Sequence, residues 1–235
     1  MVLGLAMHTA ELAIHVYQHG HIPVYGAQEV CSFLGWALVL YFLVVQARFP
    51  TKALAALLFP TAMVLTLIAA IAPDVPQAPA DLADDPVLFS MHAGLVLLAY
   101  AAFFTTFMAA VLYIVQEREI KGKHFGAIFH VLPSLDTCDT IGFRALVVGF
   151  AMLSGGIAFG MLWSYRRNGA IWLGTPIEYV AVCTWLVYFF LVHYRVTAGW
   201  RGRRAAIGAI VGFGLIVVSL TVLRYSTGFH DLTLR

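Results

Sequence analysis

The sequence predicts an all-α fold: a polytopic membrane helical bundle of about seven transmembrane helices, forming a single domain over residues 1–235. Three observations predict it. Of the 235 residues, 61% are hydrophobic and 11% charged, less than half the roughly 25% charge of an ordinary soluble domain. Mean hydropathy is +0.87. Apolar runs close to the about 20 residues needed to cross a hydrocarbon core recur along the whole chain. A chain so poor in charge lacks the polar exterior of a soluble enzyme. Disorder is excluded on the same ground, and a net charge of +2 is too small to attract nucleic acid.

The apolar runs fall at 1–17, 27–47, 51–72, 87–116, 143–164, 178–198 and 205–224. The first opens Met1-Val2-Leu3-Gly4 with neither a basic leader nor a small-residue cleavage site, so it reads as a retained helix. The fourth is longer than a bilayer requires and is expected to tilt or project. The longest polar stretch, 117–142, is expected to be an inner loop. Within it, Leu132-Pro133-Ser134-Leu135-Asp136 predicts a turn followed by a capped helix start. There is no internal repeat, coiled-coil heptad or low-complexity tail.

Seven crossings put the termini on opposite sides, and the Lys/Arg bias sets the orientation. With the N-terminus inside and the C-terminus outside, Arg48, Lys52, Arg118, Lys121, Lys123, Arg144, Arg195, Arg201, Arg203 and Arg204 are internal. Arg166, Arg167, Arg224 and Arg235 are external, as is the acidic, proline-rich segment 73–86. Arg166 and Arg167 run against the bias, which marks the loop between spans five and six. Cys31, Cys138 and Cys183 form neither a C-x-x-C pair nor a zinc spacing. Cys31 and Cys183 read as buried or lipid-facing thiols.

Ionisable side chains are costly in hydrocarbon, so each is a functional candidate, and nine histidines are many for such a chain. His92, near the outer end of span four, and His230, in the outer tail, are expected on the same side at similar depth. Two neutral imidazoles at one level can grip a haem iron from both faces; interfacial anchoring is the plainer alternative. His193 lies roughly 22 Å below the outer start of span six at 1.5 Å per residue, near Tyr194, Arg195 and Trp200. It either ligates an iron near the inner face or hydrogen-bonds a neighbouring helix. His8, Glu11 and His15 share a helical face, as a proton path or a polar packing seam. His19 and His21 follow in the outer turn, and His124 and His130 fall in the inner basic loop, where solvation accounts for them. In the external loop, Trp163 and Trp172 can cover a porphyrin face, while Arg166 and Arg167 can pair with haem propionates. An aromatic belt explains the tryptophans equally well.

Taken in order, these residues resemble the cytochrome c assembly family, with its CcsA/ResC-type and HemX-like membrane proteins. The resemblance runs from about Gly20 to His230. It includes Gly20-His21-Ile22-Pro23 with Glu29, the His92 to Tyr113 helix, and Leu132-Pro133-Ser134-Leu135-Asp136 with Asp139 and Arg144. It continues through Thr184-Trp185-Leu186-Val187-Tyr188 with His193 and Gly199-Trp200-Arg201-Gly202-Arg203-Arg204, closing at Gly228-Phe229-His230.

The resemblance implies that His92 and His230 are the outer axial ligands of haem b and that His193 is the inner membrane histidine. The second inner ligand would come from a partner membrane protein. The chain departs from the family in its tryptophan-rich loop, W-G-x-x-W-x-W-D-P-K-E. Gly169, Trp172, Pro176 and Glu178 are kept, while two tryptophans, the aspartate and the lysine are absent.

The expected function is haem handling or delivery in c-type cytochrome biogenesis, in a bacterial inner membrane, as a component of a cytochrome c synthetase or haem lyase system. Haem, the lipid bilayer and that partner protein are the expected associates. A HemX-like scaffold or regulatory subunit is one alternative. A small proton-coupled transporter using His8, Glu11 and His15 is another, although no paired repeats or broken mid-membrane helices are visible.

Overall fold

A computed structural model describes residues 1–49, 52–73, 85–123 and 126–226, with the side chains at 127, 128 and 219–226 left out of the description. Among the described residues the elements are helices: α1 (Val2–His19), α2 (Gly26–Arg48), α3 (Ala53–Ile71), α4 (Pro86–Gly122), the short α5 (Ala127–Val131), α6 (Leu135–Asn168), α7 (Pro176–Thr197) and α8 (Arg203–Ser226). Five of them, α2, α3, α4, α6 and α7, are long and apolar enough to cross a bilayer. The protein is a multi-pass membrane protein. Helices α1 and α8 also stand where spans were expected; in α1, however, His8, Glu11, His15 and His19 dilute the apolar content.

Helix boundaries follow local chemistry. Asp85 caps α4 by accepting the Leu88 N–H at 3.2 Å, with Pro86 in the first turn. As expected, Ser134 caps α6, accepting the Thr137 N–H at 3.2 Å. The 117–142 stretch is mostly helical rather than a loop. Its charges support that: Lys121 Nζ donates to Glu117 at 2.8 Å one turn away, and α4 stops only where Lys123 turns left-handed. At 37 residues, α4 is about 55 Å long, well beyond a hydrocarbon core of about 30 Å. Projection from the bilayer follows.

Helix α4 is the hub, packing against α2, α3, α6 and α8, while α7 leans on α6 and α8, and α1 on α2. Between helices in lipid there is little hydrophobic drive, so small residues that permit close approach decide the contact. On α6, Gly142, Gly149 and Gly156 recur every seven residues, and each faces α4: a Cβ would meet Ala109 at 3.7 Å, Phe103 at 2.7 Å and Val96 at 2.8 Å, respectively. Phe103 in turn stacks on Tyr188 of α7 with centroids 3.5 Å apart. That stack joins Leu153 of α6 and Ile216 of α8 in one buried cluster. A second cluster unites Leu38 and Phe42 of α2, Leu54 and Leu58 of α3, and Met108 of α4.

The bundle therefore has two distinct ends. One gathers the starts of α2, α4 and α7 with the ends of α1 and α6, and is here called the His92 end. The other, the Asp139 end, gathers the end of α4, the start of α6, the end of α7 and the start of α8. The stacked Phe103 ring cannot yield to a methyl group at Gly149. Gly149→Ala is therefore expected to lower stability by about 1–3 kcal/mol, read as a drop in the thermal midpoint of the detergent-purified protein. Gly4→Ala, in open space, is the control and should leave the midpoint in place.

Candidate functional site

At the His92 end, the backbone first fixes one imidazole. His92 is half-buried on α4, and its Nδ1 lies 2.7 Å from the carbonyl oxygen of Gly156. A carbonyl only accepts, so Nδ1 carries the proton and Nε2 keeps its lone pair. The ring lies in a notch made by a second glycine: a Cβ at Gly160 would come 2.6 Å from His92 Nδ1. The α6 glycines thus select both the tautomer and the position of this ring, the arrangement in which a histidine is usually prepared to bind a metal through its other nitrogen.

A wall of flat rings leads away from it. Phe89, one turn earlier on α4, lies 6.4 Å from His92 and 5.4 Å from Trp163 of α6. Tyr25 stacks on Phe89 at 5.2 Å, and His21 meets Tyr25 edge-on at 4.5 Å. Trp163 Nε1 is buried with no hydrogen-bond partner among the described residues, while the Arg167 guanidinium covers its ring at 5.5 Å. The α1–α2 turn is tied to this wall by the Ile22 N–H, which donates to Ser90 Oγ at 3.4 Å. Gly20, left-handed at φ 76, reverses the chain so that His15, His19 and His21 come together with ring centroids 4.2 to 5.9 Å apart. Glu29 holds the edge of this group: its Oε2 accepts the Tyr25 N–H at 2.7 Å, and its Oε1 is 3.7 Å from His15 Nε2.

The other expected residues are distributed unevenly. Trp163 joins the His92 wall, but Trp172 is exposed and packs edge-on against Tyr179 of α7 at 5.3 Å. Arg166 donates to Asp85 at 2.8 Å, an exposed ion pair linking the end of α6 to the start of α4. His193 is far from this wall, at the Asp139 end, on the exposed face of α7 with its ring stacked on Phe189 at 5.8 Å. His230 and His124 lie outside the described residues. Of the helical face shared by His8, Glu11 and His15, His8 is 2.9 Å from Ser32 Oγ and 3.6 Å from the exposed Glu11, while His15 faces Glu29 of α2. All three cysteines are free, with Cys138 buried and Cys183 exposed on α7. Among the described residues no three His, Cys, Asp or Glu side chains gather to hold a bare metal ion; axial ligation of a haem iron needs only one or two imidazoles.

The loop between α6 and α7 shows why some of its residues are kept. Gly169 ends α6 in the left-handed region at φ 71. Pro176 opens α7, and Thr175 with Glu178 forms a capping box. Glu178 accepts the Thr175 N–H at 2.8 Å and the Leu173 N–H at 3.1 Å. Three of the four retained motif positions therefore shape the backbone.

A family model described as cytochrome c assembly protein matches residues 24–230. The chain belongs to the cytochrome c assembly family. It is 31% identical to the cytochrome c biogenesis protein CcsA of Synechococcus sp. (strain CC9902), over 89% of this chain and 77% of that protein. The strain CC9605 relative of the same name gives the same identity and coverage. The protein of that name from Porphyra purpurea is 26% identical, over 92% of this chain and 80% of its own length. The family match takes in His92 and His193 and reaches His230.

Phe89, Tyr25, His21 and Asp85 were not among the expected site residues. The motif around Gly20-His21 and Glu29 was visible in the resemblance, but nothing local ties it to a helix start some 65 residues later. Asp85 has two separable roles. Asp85→Ala removes cap and ion pair together and is expected to cost about 1 kcal/mol, whereas Asp85→Asn keeps a capping oxygen and loses only an exposed pair of small worth. Thermal denaturation of the two variants should separate them, with the alanine variant lower.

Proposed function

We propose that the protein handles haem b in c-type cytochrome biogenesis, binding the iron at the His92 end and presenting it to a separate assembly partner. The observation that carries this reading is the His92 imidazole itself, with Nδ1–H spent on the Gly156 carbonyl and its place fixed by Gly160. The surroundings fit such a cargo: flat rings at Phe89, Trp163 and Tyr25, an unpartnered buried indole N–H at Trp163, and two arginines at 166 and 167.

In this proposal His92 and His230 are the two axial ligands. Helix α8 begins at the Asp139 end, where the Gly202 N–H donates to Asp139. It then runs along α4, with Phe213 against Phe104 and Phe107, so its axis leads towards the His92 end. Bound haem would bring an iron that imidazoles can ligate; the chain's own residues would orient the His92 ring and offer cations for the propionates. Arg167, over the Trp163 ring, and Arg166, exchangeable from its exposed pair with Asp85, are those cations. Trp163 covers a porphyrin face, and Trp172 is assigned to the outer rim of the same site. His193 serves an inner site whose second imidazole comes from a partner membrane protein.

The chain then crosses a bacterial inner membrane seven times, N-terminus inside and C-terminus outside, with α1 and α8 as the first and last crossings. A haem-retaining scaffold or regulatory subunit is separated by deletion: a handler lowers c-type cytochrome levels, a scaffold leaves them unchanged. The proton-coupled transporter is not favoured, because Glu11 is largely exposed at the surface of α1, 3.6 Å from His8, rather than enclosed in a polar path.

The detergent-purified protein is expected to show a bis-histidine haem spectrum, quantified as the pyridine haemochrome, that collapses in the His92→Ala/His230→Ala double variant. An unchanged spectrum in that variant overturns the ligand assignment. Gly160→Ala should weaken haem binding about 10- to 100-fold by displacing the ring. Gly155→Ala, whose Cβ meets only Leu95 at 3.5 Å, should not.

A further inference from the structure

We propose that Asp139 and Arg195 are a positioning pair for His193: by bolting the last turns of α7 to α6, they set the rotation of α7 and hold the histidine on its outward face. This rests on His193 being an iron ligand. Helix α7 attaches to the bundle along a single stripe. Trp185 Nε1 donates to Ser154 Oγ at 2.9 Å, Tyr188 stacks on Phe103, and Leu191 fits beside Gly208 and Gly212, where a Cβ would come within 2.7 and 3.1 Å of its methyls. Thr184 and Tyr188 are its buried residues. The opposite stripe, Leu186, Phe190, His193 and Tyr194, is exposed.

Beyond Leu191, the polar attachment of α7 to α6 is made by Arg195. Its Nη2 donates to Asp139 Oδ2 at 2.6 Å and to the Asp139 carbonyl oxygen at 2.8 Å, with the guanidinium over Phe143 at 4.8 Å. The second carboxylate oxygen accepts the Gly202 N–H at 3.0 Å. Gly202 is left-handed at φ 65, and a Cβ there would lie 2.8 Å from the Tyr113 hydroxyl, so the turn before α8 is built onto the same carboxylate. Both side chains are largely enclosed, 10% and 17% exposed. Residues two apart on a helix are about 200° apart around the axis. Fixing Arg195 inward therefore fixes His193 outward. Without the clamp, a roll of about 20° moves a ring some ~6 Å off the axis by about 2 Å, beyond the roughly 0.5 Å tolerance of a preorganised ligand.

The test uses the full-length chain in detergent, on a His92→Ala/His230→Ala background, titrated with ferric haem and read by absorption. Asp139→Asn and the milder Arg195→Lys are expected to weaken the His193-linked binding about tenfold and to shift the spectrum towards that of His193→Gly. In His193→Gly, added imidazole should restore the spectrum that the parent shows with His193 in place, and adding Asp139→Asn to it should then cost nothing, because a freely diffusing ligand needs no positioning. The proposal is overturned if Asp139→Asn lowers the imidazole-restored signal as much as the native one, or leaves the native signal intact. Should imidazole fail to restore His193→Gly, the spectrum of Asp139→Asn decides: a shift supports the pair, an unshifted maximum overturns it. If His193→Gly itself changes nothing, the iron-ligand reading of His193 falls first and takes the pair with it.

Discussion

The close approach of α6 to α4 governs the rest of this structure. Glycines 142, 149 and 156 let two long helices touch backbone to side chain, and the same row continues to Gly160, where the partner atom is no longer a phenyl ring or a valine methyl but an imidazole. Packing and site construction are thus one interaction. The contact that brings the bundle together also spends one nitrogen of His92 on a helix carbonyl and leaves the other with its lone pair. In a medium that gives helices little hydrophobic reason to associate, such contact carries more of the architecture than buried area does.

The two ends of the bundle are organised by different physics. At the His92 end, rings predominate, with charge in the Arg166–Asp85 pair and in Glu29 beside Tyr25 and His15. At the Asp139 end a single carboxylate satisfies a guanidinium and a backbone amide while nearly shut off from solvent. Breaking one half of such a pair leaves a buried charge unpaired, which is strongly destabilising. Both ends are built on α4 and α6.

Much of this architecture was legible in the residues. Apolar runs located seven of the helices, five of them long and apolar enough to cross a bilayer. Ser134 announced the start of α6, because a cap is a four-residue event. The stretch 117–142 reads as a loop in the sequence because its polarity suggests exposure, whereas a helix that outruns the bilayer becomes polar where it leaves it. The expected sharing of one face by His8, Glu11 and His15 is true of α1 taken alone, yet α2 supplies partners for His8 and His15 and leaves Glu11 exposed. The links between Asp85 and Arg166, 81 residues apart, and between Asp139 and Arg195, 56 apart, have no local signature. Depth singles out His92 in the sequence, but nothing in its own neighbourhood foretells the two glycines on another helix that hold it.

The loop joining α6 to α7 has a backbone set by Gly169, Pro176 and the Glu178 capping box, none of which is aromatic. Its contour is therefore separable from the rings it displays. The start of α7 thus does not depend on how many tryptophans the loop carries, so counting indoles in such a segment measures what it touches, not whether it is folded.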